Sequence, residues 1–254
     1  HAGLNDETKD SRQKAWLKGE FRGRMQYHYY LYGMRVTADL DFVQLDPVRL
    51  PEDDRDFGRE KVRIRAMDEE EEAQFRKEHG DCVCGSLLGT EKGWLCNRTL
   101  AMSVERGQVI RYHIRKGGDP GAVRTYLLGF GIAMLSLQQG KLPIHCSALA
   151  TPEGGAILIA GESGAGKSTL TAELLKRGYR FLADDMAVVD ISGKEGVWVY
   201  PAFPYMKLCR DVVLRQGYPP EELLYIDEKK DKFLVPCTGV FQREKARLER
   251  FVFL

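Results

Sequence analysis

The residues best suited to chemistry lie between Gly161 and Ser168, where the chain reads Gly-Glu-Ser-Gly-Ala-Gly-Lys-Ser. This octapeptide fits G-x-x-x-x-G-K-[ST], the loop whose backbone N–H groups surround the phosphates of ATP or GTP. In such loops the lysine, here Lys167, reaches the β- and γ-phosphates, and the hydroxyl of Ser168 binds Mg²⁺. The loop glycines let the backbone approach a phosphate where a Cβ atom would clash. The motif therefore predicts a site for a nucleoside phosphate and magnesium.

The segments on either side of the motif favour the same interpretation. Ala156–Ala160 is a short apolar run typical of a buried strand, and Ser168–Arg177 has its leucines on one helical face before Gly178 ends the helix. A helix N-terminus offers free N–H groups and the positive end of the helix dipole to an anion. The predicted nucleotide-binding residues are Gly161, Glu162, Ser163, Gly164, Ala165, Gly166, Lys167, Ser168 and Thr169.

Two adjacent carboxylates follow the loop helix. Asp184 and Asp185 come directly after the apolar run Phe181–Ala183, at the predicted end of a strand. Such a pair could bind magnesium and receive a hydroxyl proton. Because adjacent side chains on an extended backbone point in opposite directions, we expect the two residues to divide these tasks. An acidic surface turn is the alternative.

A histidine precedes the strand of the phosphate loop. His145 lies within the apolar stretch Leu142–Ser147. A lone histidine on an apolar strand is more often a core or loop residue than a catalytic one. Spacing alone leaves both possibilities open.

Composition excludes several classes of protein. The 254 residues carry a formal net charge of +1, so the sequence gives no electrostatic reason to expect nucleic-acid binding. No apolar run approaches the roughly 20 residues that span a membrane, and the polar start lacks a secretory signal, so we expect a cytoplasmic protein. The six cysteines are expected to be reduced thiols. Cys82-x-Cys84 lacks the paired spacing of a zinc site.

The chain divides into three predicted parts. Residues 1–24 form a polar extension, 25–118 a small strand-rich domain, and 119–254 an α/β nucleotide domain. Within the strand-rich part, Asp68–His79 is predicted to be helical because its acidic start complements the helix dipole. Asp119–Pro120 then opens a long apolar helix, Gly121–Gln138. The apolar ending Phe251–Leu254 is typical of a chain cut short, so further site residues are expected beyond it.

These segments together resemble a known family. In order, they are Ile144–Leu149, Ile157–Ser168 and Lys176–Asp185, an H…GxSGxGKS…RGxRxxADD string. The string is similar to the catalytic domain of HPr serine kinase/phosphorylase, and closer still to diverged relatives that phosphorylate lasso precursor peptides. The resemblance covers about residues 126–205, and residues 27–45 resemble the opening strands of those relatives. It implies an HPr-kinase/PEP-carboxykinase-like P-loop nucleotide domain preceded by a smaller β-rich α+β domain.

The resemblance also implies roles for individual residues. Asp184 becomes the base for the acceptor serine, Asp185 a magnesium or water partner, and His145 an active-site residue near the transferred phosphate. Three features depart from the family pattern: Glu162 replaces an aspartate, Thr169 replaces a glutamate, and an E-x-R-G-x-G signature is missing. These departures disfavour the regulatory kinase/phosphorylase of sugar metabolism, and leave the reverse reaction open.

We therefore expect an ATP- and Mg²⁺-dependent serine kinase whose acceptor is a peptide or small protein, with a lasso precursor peptide preferred. Phosphorylation of free serine or another metabolite, and a non-catalytic nucleotide-binding module, are the alternatives. ATP rather than GTP follows from the resemblance alone, and the oligomeric state stays open. The strand-rich part is expected to recognise the acceptor, with Gln26–Tyr32 or Val109–Arg115 offering a sheet edge to an extended peptide.

Overall fold

The computed structural model describes residues 25–51, 60–80, 84–162, 164–226 and 231–254. The predicted extension 1–24, Cys82 and the loop residue Ser163 lie outside these ranges. The remainder is a mixed α/β structure built from three sheets. None of its described helices combines the length and apolar character needed to cross a bilayer.

The first sheet has seven strands in the order β1-β2-β3-β7-β6-β5-β4. Its third strand alternates as predicted, with Val62 and Ile64 buried and Lys61 and Arg63 exposed. The seven strands are β1 (Tyr27–Leu31), β2 (Met34–Ala38), β3 (Glu60–Ala66), β4 (Gly85–Leu87), β5 (Lys92–Cys96), β6 (Leu100–Glu105) and β7 (Val109–Ile114).

One predicted peptide-binding edge is wrong. Strand β7 lies in the interior of the sheet, paired with β3 on one side and β6 on the other. Its backbone groups are therefore already used, and it offers no edge. Alternation in the sequence shows that a strand has two different faces, but it does not show which strands become its neighbours. Strand β1 does lie at the end of the strand order.

Helices cover both faces of this sheet. Helix α1 (Glu69–His79), predicted from its acidic start, begins with a capping box in which Asp68 and Glu71 each bond the other's backbone N–H. The predicted apolar helix begins at the cap Asp119 and runs through α2 (Pro120–Tyr126), a π-helical turn at Leu127–Gly131, and α3 (Ile132–Gln138). Its buried side chains join those of the sheet in the main core.

The second sheet carries the phosphate-loop strand and has the order β11-β9-β10-β17-β13-β12-β8. The predicted strand and helix on either side of the loop are both present. Helix α4 (Lys167–Lys176) packs Leu170, Leu174 and Leu175 against the core. The strands are β8 (Leu142–Ile144), β9 (Ser147–Ala150), β10 (Gly155–Ala160), β11 (Arg180–Ala183), β12 (Ala187–Asp190), β13 (Trp198–Tyr200) and β17 (Ala246–Phe253).

A small third sheet completes the described fold. It has the order β14-β16-β15, and all of its pairings are antiparallel. Its strands are β14 (Tyr205–Cys209), β15 (Leu224–Ile226) and β16 (Lys232–Pro236), with helix α5 (Arg210–Arg215) between β14 and β15 and short 3₁₀ turns at Val43–Val48, Pro220–Glu222 and Thr238–Val240.

Candidate active site

Sheet topology brings the predicted site residues to one edge. Strand β9 pairs antiparallel with both β10 and β11, so β10 and β11 run parallel to each other. The phosphate loop follows β10, and Asp184 follows β11, so both leave the same edge of the sheet, two strand spacings or about 10 Å apart. His145 precedes the amino end of β9, which lies at that edge as well. Three distant segments therefore converge.

The phosphate loop adopts conformations that only glycine takes easily. Gly164 and Gly166 have φ values of 89° and 96°, and Gly161 has a φ of 151°. Gly166 is the N-cap of helix α4. Apart from chain neighbours, no atom of the described residues lies within 4 Å of an added Cβ at Gly164 or Gly166, so the loop leaves open space at these positions. Positive φ, and not crowding by the protein itself, is what requires these two glycines.

The lysine of the motif is folded over its own loop. Lys167 Nζ donates hydrogen bonds to the carbonyl oxygens of Gly161, at 2.8 Å, and Glu162, at 2.9 Å. The Glu162 side chain is exposed, and Ser168 and Thr169 follow in the first turn of α4. The ammonium group therefore lies against the backbone of the loop that precedes helix α4. This arrangement keeps the positive charge of Lys167 at the phosphate loop.

Asp184 is held by donors from two other strands. Ser147 Oγ donates to its Oδ1 at 2.6 Å, and the backbone N–H of Lys207 donates to its Oδ2 at 2.8 Å. Burial raises the pKa of the Asp184 carboxyl above its ordinary value, and the charge of Asp185 raises it further. These two hydrogen bonds and a third from the Asp185 backbone N–H oppose the shift. A fixed carboxylate with a raised pKa is suited to accept a proton near neutral pH.

Asp185 has a different environment, for a reason that the sequence did not reveal. The prediction assumed an extended backbone, but Asp185 has a φ of 66°, in the left-handed region. Its carboxylate is 43% exposed and lies 3.4 Å from the ammonium of Lys207. The backbone turn, and not strand alternation, separates the two carboxylates. The more exposed Asp185 is the one that a metal ion could approach.

His145 is attached to the acid pair through the backbone. Its Nδ1 lies 2.7 Å from the carbonyl oxygen of Asp185, and its side chain is 70% exposed. A carbonyl can only accept, so Nδ1 carries a proton and Nε2 remains available to a ligand. The same Nδ1 is 3.9 Å from the Asp185 carboxylate. The histidine is therefore a surface residue of the site and not a core residue.

Two residues of the site were not predicted from the sequence. Lys207, on β14, bonds Asp184 through its backbone and Asp185 through its side chain. Ser147, on β9, is buried against Asp184. Ser147 lies two residues after His145, so alternation could have suggested it. Lys207 has no such signal, because its strand reaches the acid pair only through tertiary folding.

A cavity of about 570 Å³ opens beside Asp184 and Asp185. Asp184–Met186 and Phe203 form part of its lining, and the rest comes from three regions: residues 25–51, helix α2 with the turn that follows it, and the third sheet. Lys207 belongs to this lining too. The acid pair therefore faces the phosphate loop along the sheet edge and faces this cavity on another side.

Among the described residues, no group of three or more histidine, cysteine, aspartate or glutamate side chains forms a ready-made metal site. Magnesium is commonly held by one or two carboxylates together with substrate phosphates and water. Asp185 and the hydroxyl of Ser168 offer that limited donor set, and the open space at Gly164 and Gly166 offers a cradle for phosphate. The residues present therefore fit magnesium bound together with a nucleotide.

Comparison with known proteins shows a similarity that spans this site. Residues 142–201, which include His145, the phosphate loop and the acid pair, match the HPr Serine kinase C-terminal domain. A 49-residue stretch is 47% identical to HPr kinase/phosphorylase of Streptococcus salivarius, of Streptococcus pyogenes serotype M5 and of Streptococcus uberis. The stretch covers 19% of this chain and 16% of each relative. Lys207 lies beyond the matched residues. This part of the chain is similar to the C-terminal domain of HPr serine kinases, and the chain spans about a sixth of the length of the curated relatives it matches.

Proposed function

We propose that this protein is an ATP- and Mg²⁺-dependent kinase that transfers the γ-phosphoryl group to a serine hydroxyl of a peptide or small protein. A lasso precursor peptide is the preferred acceptor, on the sequence resemblance alone. The observation that carries the proposal is the convergence of the phosphate loop, His145 and the Asp184–Asp185 pair at one sheet edge. The match to the HPr Serine kinase C-terminal domain supports the same chemistry.

The donor side of the site is assigned to the loop and its helix. Lys167 and the N–H groups of residues 161–169 would hold the phosphates, and Ser168 and Asp185 would hold Mg²⁺. Bound magnesium would neutralise phosphate charge, and ATP would supply the phosphoryl group. Lys167 would exchange its hydrogen bonds to the loop carbonyls for bonds to phosphate oxygens.

Asp184 is assigned as the general base. An ionised carboxylate has about four acceptor positions, and Ser147 and Lys207 occupy two of them. The backbone N–H of Asp185 also hydrogen-bonds this carboxylate, which leaves about one position for a hydroxyl from the cavity. As the serine oxygen forms its bond to the γ-phosphorus, its proton passes to Asp184, and the ADP oxygen leaves with the electrons of the broken P–O bond. Asp184 then returns the proton to solvent.

His145 and Lys207 are assigned supporting roles at the same place. The Nε2 of His145 can hydrogen-bond the transferred phosphoryl group, because its Nδ1 is already fixed by Asp185. Lys207 balances the charge of the adjacent carboxylates through its contact with Asp185. Both roles stabilise charge and do not require either residue to react covalently.

The test is to incubate the protein with Mg²⁺ and γ-labelled ATP together with three acceptors: a serine-containing lasso precursor peptide, unrelated serine peptides and free serine. Mass spectrometry then locates the phosphate. We expect phosphoserine in a peptide, and none from Lys167→Ala, which should lack charge at the β- and γ-phosphates. Transfer of the labelled phosphate to free serine, and to neither kind of peptide, would favour a small-molecule kinase. Nucleotide binding with no transfer to any acceptor would favour a non-catalytic module.

A further inference from the structure

The third sheet connects the acid pair to solvent through a row of cross-strand neighbours. Lys207 on β14 pairs with Leu234 on β16, and Leu234 pairs with Leu224 on β15. Residues directly opposite each other on neighbouring strands place their side chains on the same face of a sheet. All three line the cavity beside Asp184 and Asp185. The row therefore begins at the charged site and ends on the outermost strand of this sheet.

The two outer positions of this row are apolar. Leu234 is buried, whereas Leu224 is 42% exposed, and its neighbour Tyr225, which also lines the cavity, is 48% exposed. Apolar side chains left partly exposed at the mouth of a cavity are typical of a ligand contact. An apolar ligand group would bury the exposed surface of Leu224 and Tyr225, whereas a zwitterion such as free serine would not.

The size of the cavity also distinguishes between acceptors. Its volume of about 570 Å³ is on the order of twenty times a water molecule's share of liquid volume. Free serine would leave most of this space to water, and has no apolar group to place against Leu224. A peptide can fill it with the residues that flank its serine.

We infer that the acceptor is an extended peptide with an apolar side chain about three residues from the phosphorylated serine, and that this side chain rests on Leu224. Two strand spacings separate Lys207 from Leu224, about 10 Å, and an extended chain advances about 3.3 Å per residue. This inference rests on the proposed function, because it takes Asp184 as the point where the serine enters. It adds the class of acceptor and the surface that reads it.

Residues 25–51 form the opposite wall of the cavity, and their backbone is less able to pair with a peptide than the third sheet is. Strand β1 is also an outer strand, but its free side is partly used: the N–H of Leu50 donates to the His28 carbonyl at 2.7 Å, and Tyr29 bridges Arg49. Residues 25–51 can therefore enclose a peptide with side chains, but offer few free backbone groups for it to pair with. In this inference the strand-rich part and the third sheet together recognise the acceptor.

The test uses a series of capped nonapeptides, each with a central serine in an alanine–glycine background. Each peptide carries a single leucine, at a different position in each member of the series. Fluorescence anisotropy measures their binding, and mass spectrometry measures phosphate transfer from Mg²⁺-ATP. We expect leucine three residues from serine, on one side, to improve Kd and KM by about tenfold. Leu224→Ala should remove the preference for leucine at that position. Leu224→Arg should make the peptide with leucine at that position the weaker binder. Leu214→Ala, on an exposed leucine outside the cavity lining, should behave like the parent.

The two measurements separate failure of this inference from failure of the proposed function. Transfer to all peptides with equal KM, whatever the leucine position, would overturn the inference and leave the kinase intact. Leucine-dependent binding that Leu224→Ala abolishes, without any transfer, would support the peptide surface and count against the kinase. Binding of no peptide by the parent would overturn the inference.

Discussion

At Asp184, opposing influences act on a single carboxyl group. Burial and the neighbouring Asp185 raise its pKa, while Ser147 and the backbone of Lys207 stabilise its charged form. Burial is the largest of these influences, so the group keeps a higher affinity for a proton than an exposed aspartate has. At the same time the hydrogen bonds fix its orientation. The proposed role as general base requires both the higher proton affinity and the fixed orientation.

Replacing this carboxylate should separate binding from transfer. Asp184→Asn keeps the shape of the side chain but cannot take up the serine proton, so we expect phosphoryl transfer to fall by about 10²–10⁴-fold. Calorimetry with Mg²⁺-ATP should give a Kd close to that of the parent. Asp211→Asn, at an exposed aspartate on α5, is the matched control and should transfer normally. Full transfer by Asp184→Asn would remove this residue from the catalytic role.

The pH dependence of transfer should report the same group. In the proposed role of general base Asp184 must be deprotonated, so the rate should rise with pH through its folded-state pKa, at a pH above the ordinary aspartate range. For folding the sign is opposite: a raised pKa stabilises the protein below the unfolded value, and this contribution is lost as pH rises through the folded value. A pH–kcat profile on a peptide acceptor measures the first effect. An acid limb at the ordinary aspartate pKa would contradict the assignment.

Asp185 should instead control the response to metal. Asp185→Asn removes the exposed carboxylate assigned to Mg²⁺, so the magnesium concentration for half-maximal transfer should rise, by about tenfold. Titration of Mg²⁺ at fixed ATP measures this change, with the parent and Asp211→Asn compared in parallel. If Asp185→Asn abolished transfer at every magnesium concentration while Asp184→Asn altered only the metal response, the two roles would have to be exchanged.

At the scale of elements, local patterns predicted local structure well. The capped helix α1, the long helix from Asp119 and the strand and helix around the phosphate loop all follow from residues close together in sequence. The pairing of β17 with β10 does not, because these strands are more than eighty residues apart. Nor does the position of β14, which brings Lys207 to the acid pair. Predicting those contacts requires knowledge of which strands pair.

The pairing of β17 has a direct consequence for the phosphate loop. Strand β17 runs parallel to β10, and the N–H of Leu254 donates to the Ala160 carbonyl at 3.0 Å. A Cβ at Gly161 would lie 2.9 Å from the Leu254 carbonyl oxygen. The first glycine of the loop is therefore constrained from both sides, by its own φ of 151° and by the end of a neighbouring strand.

Gly161→Ala should therefore destabilise the protein more than a glycine replacement that meets only conformational strain. Gly178→Ala is the control, since its φ of 90° is unfavourable but the added Cβ meets no atom within 4 Å among the described residues other than its chain neighbours. We expect Gly178→Ala to cost about 1–2 kcal/mol of unfolding free energy, and Gly161→Ala to cost more because a backbone oxygen must move. Denaturant unfolding of both variants measures the difference. Equal losses would show that the contact with β17 is absent.

At the scale of the whole molecule, the predicted division near residue 118 does not divide the core. Buried residues of the first sheet, of helices α2 and α3 and of the second sheet belong to one cluster. A chain starting near Gly118 would expose the helix face that packs on the first sheet. Point substitutions are therefore the better way to test what the strand-rich part contributes, and the division into domains stays a prediction.

One contact joins the first sheet directly to the site. Tyr32, in the turn after β1, is buried; its backbone N–H donates to the Pro201 carbonyl at 2.7 Å, and its hydroxyl donates to the Met186 carbonyl at 3.1 Å. Met186 immediately follows the acid pair. The strand-rich part therefore supports the segment on which Asp184 and Asp185 are held, in addition to lining the cavity.

Tyr32→Phe should show this support without disrupting packing, because it removes only the hydroxyl. Loss of one hydrogen bond, with the Met186 carbonyl left without that donor, should lower the unfolding free energy by about 0.5–1.5 kcal/mol. If the bond also positions the acid pair, kcat should fall severalfold while KM for Mg²⁺-ATP is retained. Tyr126→Phe, at a partly exposed tyrosine on α2, is the matched control. A stability loss with an unchanged kcat would limit Tyr32 to holding the two sheets together.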